Sequence, residues 1–103
     1  MKISITESDS SRTLVLTGCL DTAAADEFFS TMEGVLASNP AAKSLAIDFT
    51  AVDFISSSGL RVLVHAAKLE SRSQRKITLL GLNDVIKEVL EVTGLKSVFI
   101  LPE

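Results

Sequence analysis

Apolar residues recur along the chain at two periods, and these periods predict strands that alternate with helices. In residues 2–6 polar and apolar side chains alternate, which is typical of a half-exposed edge strand. Residues 12–17 contain a continuous apolar run, which is typical of a strand buried on both faces. Residues 43–49 and 76–80 resemble further buried strands, and residues 98–101 a short last strand. The polar segment between the first two strands favours a turn, so these strands are expected to form a hairpin.

Apolar residues at helical spacing predict three helices in the remaining segments. The first helix is expected to end at Asn39-Pro40, because proline cannot continue a helix. The second helix begins near Gly59, and the third is expected to stop at Gly94. The candidate N-terminal caps are Asp21 or Thr22 for the first helix and Asn83 or Asp84 for the third.

The order of these elements indicates an α/β fold. A strand, a helix and a second strand in succession form a βαβ unit, whose crossover is right-handed in nearly all known proteins, so the two strands are parallel. With 103 residues, of which 47% are apolar, the chain has the size and composition of one domain with one core. We therefore expect residues 1–103 to form a single domain with an open mixed sheet of about five strands, an N-terminal hairpin and right-handed β–α crossovers.

The net charge and composition argue against nucleic acids and membranes as direct binding partners of the chain. The net charge of −3 has the wrong sign for direct binding to nucleic acid, which relies on contacts from cations to phosphates. No apolar run approaches the roughly 18 residues of a spanning helix, so direct insertion into a membrane is not expected. The single Cys19 cannot form an intramolecular disulfide and is expected to be a small packing residue. Together with an N-terminal segment unlike a signal peptide, these features predict a cytoplasmic protein with a protein or small-molecule partner.

Three consecutive serines occupy the junction between a predicted strand and the second helix. Ser56, Ser57 and Ser58 lie where the first backbone N–H groups of a helix have no intrahelical partner. These groups carry the positive end of the helix dipole, so an anion at this place is stabilised. The phosphate of a phosphoserine is one such anion, whereas the simpler alternative is that a serine here only caps the helix.

The second helix has two contrasting faces. At about 100° per residue, one side is apolar and is expected to face the core, whereas cations line a narrow strip elsewhere. This basic stripe is either a solvated surface whose charges suit the C-terminal end of the helix, or a surface that attracts an acidic patch on a partner. Its histidine has no Asp or Cys at ligand spacing, so no metal site is predicted. The apolar side comprises Leu60, Leu63, Val64 and Ala67, and the basic stripe comprises Arg61, His65, Lys68 and Arg72.

The sequence lacks the motifs of an enzyme that uses a serine nucleophile or a bound nucleotide. The segment Ile55-Ser56-Ser57-Ser58-Gly59 is not a Gly-x-Ser-x-Gly nucleophile elbow. The five glycines are scattered along the chain and form no phosphate-binding loop. We therefore predict neither an enzymatic activity nor a cofactor.

Three further observations concern short motifs. The chain has Phe54-Ile55-Ser56-Ser57-Ser58-Gly59-Leu60 before the second helix, Gly18-Cys19-Leu20-Asp21 after the second strand, and Val89-Leu90-Glu91-Val92-Thr93-Gly94-Leu95 near the C-terminus. These segments resemble the STAS family, the domain of bacterial anti-sigma factor antagonists and of the tails of sulfate transporters. That family has an apolar pair, Asp-Ser-Ser or a close variant, and then Gly-Leu at the start of a helix, a Gly-x-Leu-Asp motif at the end of an early strand, and a related C-terminal motif. The chain departs from the family at Ser56, where an Asp is often found. The resemblance covers essentially the whole chain and implies a STAS-like fold.

By this resemblance, Ser57 is the phosphorylated residue of a switched binding module. The unphosphorylated protein would bind an anti-sigma factor that is also a serine kinase, and would thereby release a sigma factor. Phosphorylation of Ser57 would abolish this binding, and a serine phosphatase would restore it. Asp21 has two readings, as a helix cap or as a surface residue near the phosphoserine. The residues expected to contact the partner are Asp21, Ser56, Ser58, Gly59, Arg61, His65 and Lys68.

A second hypothesis belongs to a different class. The chain could be a structural subunit of a stress-signalling scaffold, or of a lipid or anion transport complex, in which the same helix N-terminus docks without turnover of phosphate. Neighbouring genes for a serine kinase and a phosphatase would favour the switch, whereas a neighbouring transport ATPase would favour the subunit.

Overall fold

The computed structural model describes residues 1–37 and 43–102, which contain a hairpin of two strands followed by helices and strands in alternation, four strands and three α-helices in all. The predicted helix stop at Asn39-Pro40 lies outside the described residues. None of the helices in the described part of the chain is both long and apolar enough to cross a membrane. The elements are β1 (Lys2–Glu7), β2 (Ser11–Thr17), α1 (Thr22–Ala37), β3 (Ser44–Ala51), α2 (Ser57–Ser71), β4 (Thr78–Leu80) and α3 (Asp84–Val92), followed by a 3-10 turn at Lys96–Val98.

The four strands form one mixed sheet in the order β1-β2-β3-β4. β1 pairs antiparallel with β2, with Ile5 opposite Leu14, which confirms the predicted hairpin and the edge position of β1. β3 pairs in parallel with β2 on one side and with β4 on the other. The helices α1 and α2 connect these parallel pairs, so both connections are the predicted β–α crossovers.

The predicted fifth strand at residues 98–101 is wrong. In the described part of the chain this segment meets the sheet only through an isolated parallel bridge between Thr78 and Ile100. The 3-10 turn at Lys96–Val98 takes up the start of the segment, so only Ile100 exchanges backbone hydrogen bonds with the strand beside it. The sheet therefore has four strands rather than about five.

One face of the sheet is buried against the helices. In β2 the side chains of Leu14 and Leu16 are fully buried, whereas Val15 between them is half-buried. The prediction that β2 is buried on both faces is therefore wrong, because the helices cover the face of Leu14 and Leu16 only. The same core cluster holds Leu45, Ile47 and Phe49 from β3, Phe28 and Met32 from α1, Leu63 and Ala67 from α2, and Ile86 and Leu90 from α3.

Helix α2 buries a different strip from the predicted one. Leu63 and Ala67 are buried as expected, but Leu60 and Val64 are half-buried, and Val62 and Ala66 take their place in the core. The neighbouring helix α1 packs against α2, and Val62 lies beside Ala25 and Phe29 of α1. The buried residues of α2 are Gly59, Val62, Leu63, Ala66, Ala67 and Glu70.

The start and end of α3 follow the prediction. Asn83 Oδ1 accepts a hydrogen bond from the backbone N–H of Ile86 at 2.8 Å, so Asn83 is the cap. At the other end Gly94 has a φ of +74°, and the N–H of Leu95 donates to the carbonyl of Leu90 at 2.8 Å. This is a Schellman ending, in which a left-handed glycine reverses the chain.

Candidate functional site

Helix α2 begins at a side-chain cap supplied by Ser56. Its backbone is extended, with φ −82° and ψ 168°, and its Oγ accepts a hydrogen bond from the N–H of Gly59 at 3.1 Å. The first of the three serines therefore satisfies one of the free N–H groups of the helix. Of the three candidate hydroxyls, the one that caps the helix is at Ser56 and not at Ser57.

Ser57 is the first residue of α2, and its side chain is exposed. Within the described residues its hydroxyl forms no hydrogen bond. Ser58 is half-buried, and it lines a groove between α1 and α2. The three adjacent serines therefore differ in environment: Ser56 caps the helix, the Ser57 hydroxyl faces solvent, and Ser58 lines the groove.

Gly59 allows the start of α2 to approach Leu20, in the segment between β2 and α1, closely. A Cβ atom at this position would lie 2.7 Å from Leu20 Cγ and 3.1 Å from Ile55 Cγ1. Both neighbours are buried, so a larger side chain would displace packed groups. The glycine that the sequence places at the helix start is therefore needed for packing and lies beneath the surface.

The loop before α2, residues 52–56, is bonded to the segment that precedes α1. The N–H of Leu20 donates to the carbonyl of Phe54 at 3.0 Å, and the N–H of Ser56 donates to the carbonyl of Leu20 at 2.8 Å. These two bonds form a parallel bridge between Leu20 and Ile55. Asp21 is thereby brought beside the start of α2, although 36 positions separate it from Ser57 in the sequence.

Asp21 is the cap of α1 and also an exposed residue of this surface. Its Oδ1 accepts a hydrogen bond from the N–H of Ala24 at 2.8 Å, which confirms the interpretation of Asp21 as a helix cap. The residue remains exposed, so the cap also adds a negative charge next to the Leu20 bridge. The two readings of Asp21 are compatible in this geometry.

The four residues of the basic stripe, Arg61, His65, Lys68 and Arg72, are all exposed along α2. The His65 ring lies against Phe29 of α1, with ring centroids 5.2 Å apart and an angle of 47° between the planes. Within residues 1–37 and 43–102, no three His, Cys, Asp or Glu side chains cluster so that they could hold a metal ion. The stripe runs directly from the serines at the helix start.

A groove between α1 and α2 adjoins both the serines and the stripe. Its volume is about 340 Å³, and its walls combine apolar side chains with charged groups of both signs. The groove therefore offers an apolar contact area next to the polar start of α2. Its lining residues are Ala25, Asp26, Phe29, Ser58, Arg61, Val62 and His65.

Sequence reasoning missed two residues of this surface. Phe54 is 48% exposed, immediately before the buried Ile55, and therefore presents a large aromatic ring to solvent. Successive side chains of an extended segment point to opposite sides, so the alternation of Phe54 with Ile55 could have revealed this. Asn83 was predicted only as a cap, but its Nδ2 also donates to the carbonyl of Asp53 at 3.0 Å. No local pattern connects residues 53 and 83.

The structure contradicts the expected role of Cys19. Its side chain is exposed, so it is not a small packing residue. The preceding Gly18 has a φ of +110°, and the chain turns there between β2 and the Leu20 bridge. Because Leu20 is fully buried, the adjacent Cys19 is left on the outside of the turn.

Comparison with known proteins agrees with the motifs. The model of the STAS domain matches residues 2–102. BtrV of Bordetella bronchiseptica, a protein named as an anti-sigma factor antagonist, is 30% identical over 101 residues, which cover 96% of this chain and 84% of that protein.

Solved structures of similar fold carry related names. A Thermotoga maritima protein named as an anti-sigma factor antagonist has a TM-score of 0.87 at 20% identity, over 98% of this chain and 86% of that one. The phosphorylated form of SpoIIAA, a Bacillus cell fate determinant, has a TM-score of 0.75 at 15% identity, over 99% of this chain and 92% of that one. At these identities the structural likeness establishes the fold.

Proposed function

The chain belongs to the STAS domain family, and from this premise we propose that it is an anti-sigma factor antagonist whose binding is switched by phosphorylation of Ser57. BtrV, which is named as an anti-sigma factor antagonist, is similar to this chain over 96% of the chain's length. The observation that carries the proposal is the exposed Ser57 hydroxyl at the first position of α2, where it has no other structural task within the described residues. This hydroxyl is free to receive a phosphate.

The neighbouring serines are poorer candidates for the same role. The hydroxyl of Ser56 is occupied by its bond to Gly59, and Ser58 is half-buried beside α1. The Ser56 hydroxyl is half-buried and bonded to Gly59, so a kinase would have to displace the cap to reach it, and a phosphate on Ser58 would enter the groove between the helices. A phosphate on Ser57 points to solvent near free N–H groups and the positive end of the helix dipole, which offset its charge.

In the proposed cycle, the unphosphorylated protein binds an anti-sigma factor that has serine kinase activity. This binding releases a sigma factor, so the exchange takes place in the cytoplasm. The kinase then phosphorylates Ser57, and the phosphorylated protein dissociates from the kinase. A serine phosphatase removes the phosphate and restores binding. The protein is a substrate of both enzymes and has no catalytic role itself.

The partner surface that we propose surrounds Ser57 on two helices and one loop. Asp21 and Ser56 are joined through the backbone of Leu20, and Gly59 holds the two segments in close contact. The basic stripe continues along α2 and would meet an acidic patch on the anti-sigma factor. Of the residues predicted to contact the partner, Gly59 is buried and supports the surface by packing. The proposed contact residues are therefore Asp21, Ser56, Ser58, Arg61, His65 and Lys68, together with the exposed Phe54.

The test is an affinity capture from native cells with tagged wild-type protein, followed by mass spectrometry of both the captured proteins and Ser57. We expect a protein with a serine-kinase ATP-binding domain to be captured, and to phosphorylate Ser57 when ATP is added. A matched control is Ser97→Ala, which alters an exposed serine away from α2. Failure to detect a kinase of this kind, or phosphate on Ser57, would contradict the proposal.

A further inference from the structure

The side chain of Asn83 joins two parts of the fold with the two ends of its amide. Oδ1 accepts from the N–H of Ile86 at 2.8 Å and so caps α3. Nδ2 donates to the carbonyls of Asp53 at 3.0 Å and Val52 at 3.4 Å, which belong to the loop before α2. The orientation of the amide follows from these partners, because a helix N–H requires an acceptor and two carbonyls require a donor.

The same loop is held from its other side by Leu20. The bonds from Leu20 N–H to Phe54 and from Ser56 N–H to the Leu20 carbonyl fix residues 54 and 56. The side chains of Val52 and Ile55 are buried, whereas Phe54 is 48% exposed. Asn83 and Leu20 therefore clamp a short loop that displays one aromatic ring two residues before the α2 cap.

Capping alone does not require asparagine at position 83. Serine and aspartate are comparably good caps, but neither offers an N–H₂ group to two carbonyls while its oxygen accepts from the helix. Asparagine supplies both an acceptor for the N–H of Ile86 and a donor for the two carbonyls. The donor contacts only the loop before α2.

We propose that Asn83 is a positioning residue of the switch, which holds residues 52–55 so that Phe54 and Ser57 meet the partner as one rigid surface. The inference rests on the proposed function for the identity of that partner. Aromatic residues held in place are effective anchors at protein interfaces, because little conformational entropy is lost when they bind. The amide of Asn83, at the start of α3, thus bonds directly to the loop that carries Phe54.

The first test compares amide hydrogen exchange in Asn83→Ser, Asn83→Asp and wild type. Both variants keep an acceptor for the N–H of Ile86 but lack the Nδ2 donor, and the aspartate also places a carboxylate opposite two carbonyls. We expect exchange at Leu20 and Ser56 to become about tenfold faster in Asn83→Ser, and faster again in Asn83→Asp. Exchange at Ile86 should remain close to that of wild type.

The matched control is Glu88→Gly, which weakens α3 at an exposed position without touching the loop. It should lower the melting temperature by an amount comparable to Asn83→Ser, and yet leave Leu20 and Ser56 better protected. If Leu20 and Ser56 exchange no faster in Asn83→Ser than in Glu88→Gly, Asn83 is only a cap and the proposal is overturned. The hydrogen-exchange experiment needs no binding partner, so its outcome is independent of the proposed function.

The second test measures the rate of Ser57 phosphorylation by the kinase that the affinity capture recovers. A positioning role predicts at least a fivefold lower kcat/KM for Asn83→Ser, whereas Glu88→Gly should match wild type below its melting temperature. Equal rates for Asn83→Ser and wild type would overturn the proposal even if the loop were looser. Absence of any Ser57 kinase would instead contradict the proposed function and leave the exchange result standing.

Discussion

The N–H of Gly59 donates to Ser56 Oγ at 3.1 Å, and this single bond decides which of three adjacent serines is structural. With Ser56 as the cap, Ser57 enters α2 with an exposed hydroxyl that bonds to none of the described residues. The family often has Asp at the position of Ser56, and a carboxylate is an equally suitable cap. The departure at Ser56 therefore preserves the physical role of that position.

We expect Ser56→Ala to lower the free energy of unfolding by about 1 kcal/mol, because it removes a helix cap. Ser57→Ala should change it by less than about 0.5 kcal/mol, since its hydroxyl is at the surface. Ser56→Asp should retain most of the stability. Urea unfolding of the three variants measures these differences, and an equal loss in Ser57→Ala and Ser56→Ala would contradict the assignment of the cap.

Gly59→Ala should be destabilising although alanine is the better helix former. The added methyl group would lie 2.7 Å from Leu20 Cγ, and this overpacking outweighs the gain in helix propensity, for a net loss of about 1 kcal/mol. Gly34→Ala is the matched control, because a Cβ there meets no atom within 4 Å, and it should stabilise α1 by about 0.5–1 kcal/mol. Thermal melts of both variants would show opposite signs, and a stabilised Gly59→Ala would refute the packing argument.

The sequence predicted those features of the fold that depend on local chemistry. Asn83 as a cap, Gly94 as a helix stop and the edge position of β1 were each readable from a few neighbouring residues. Features set by distant contacts were missed or wrong. The burial of Val15 depended on which sheet face the helices cover, and the loss of the fifth strand depended on the turn at Lys96–Val98.

The environment of Glu70 is another feature that the local sequence pattern does not predict. Its side chain is only 5% exposed, and Arg75 Nε donates to its Oε2 at 3.4 Å. A buried carboxylate requires such a partner, but a helical wheel of α2 places no arginine beside it, because Arg75 lies beyond the end of the helix. The candidate site was also only partly predictable. The motifs located Ser57, whereas the exposure of Phe54 and the hydrogen bonds from Asn83 to residues 52 and 53 could be seen only in the folded structure.

Phosphorylation of Ser57 should leave the fold almost unchanged. The phosphate would lie at the start of α2, where the helix dipole and free N–H groups offset its charge, and the core is not altered. Amide chemical shifts compared with and without phosphate should change near Asp21 and residues 56–60. Spectra recorded after treatment with a phosphatase supply the control, and shifts spread through β2 and β3 would contradict this prediction.

The basic stripe should contribute to association and not to stability. Arg61→Glu with Lys68→Glu should slow the association of the captured kinase and weaken its binding, with little effect on the melting temperature, because exposed charges add little to folding. Lys87→Glu with Lys96→Glu changes the net charge equally on residues outside the stripe. If both double variants bind alike at low salt, the stripe is only a solvated surface.

Ser57 should be the switch residue, and Ser56 and Ser58 should not be. A phosphate adds about −1.5 to −2 charges at neutral pH. Opposite a partner carboxylate at about 5 Å, an effective dielectric constant near 20 gives a repulsion on the order of 3 kcal/mol per unit charge pair before screening by salt. A loss of about 2.8 kcal/mol corresponds to a hundredfold weaker complex, so one phosphate is sufficient to release the partner.

The variants of the three serines distinguish these roles. Ser57→Ala should bind the captured kinase whether or not ATP is present and should take up no phosphate, whereas Ser57→Asp should bind weakly, since its single charge imitates the phosphate in part. Ser56→Ala and Ser58→Ala keep the exposed Ser57 hydroxyl, so both should still be phosphorylated at that residue. Phosphate incorporation is measured by intact-mass spectrometry after incubation with kinase and ATP. Full incorporation into Ser57→Ala would refute the assignment, because it would place the phosphate on a residue other than Ser57.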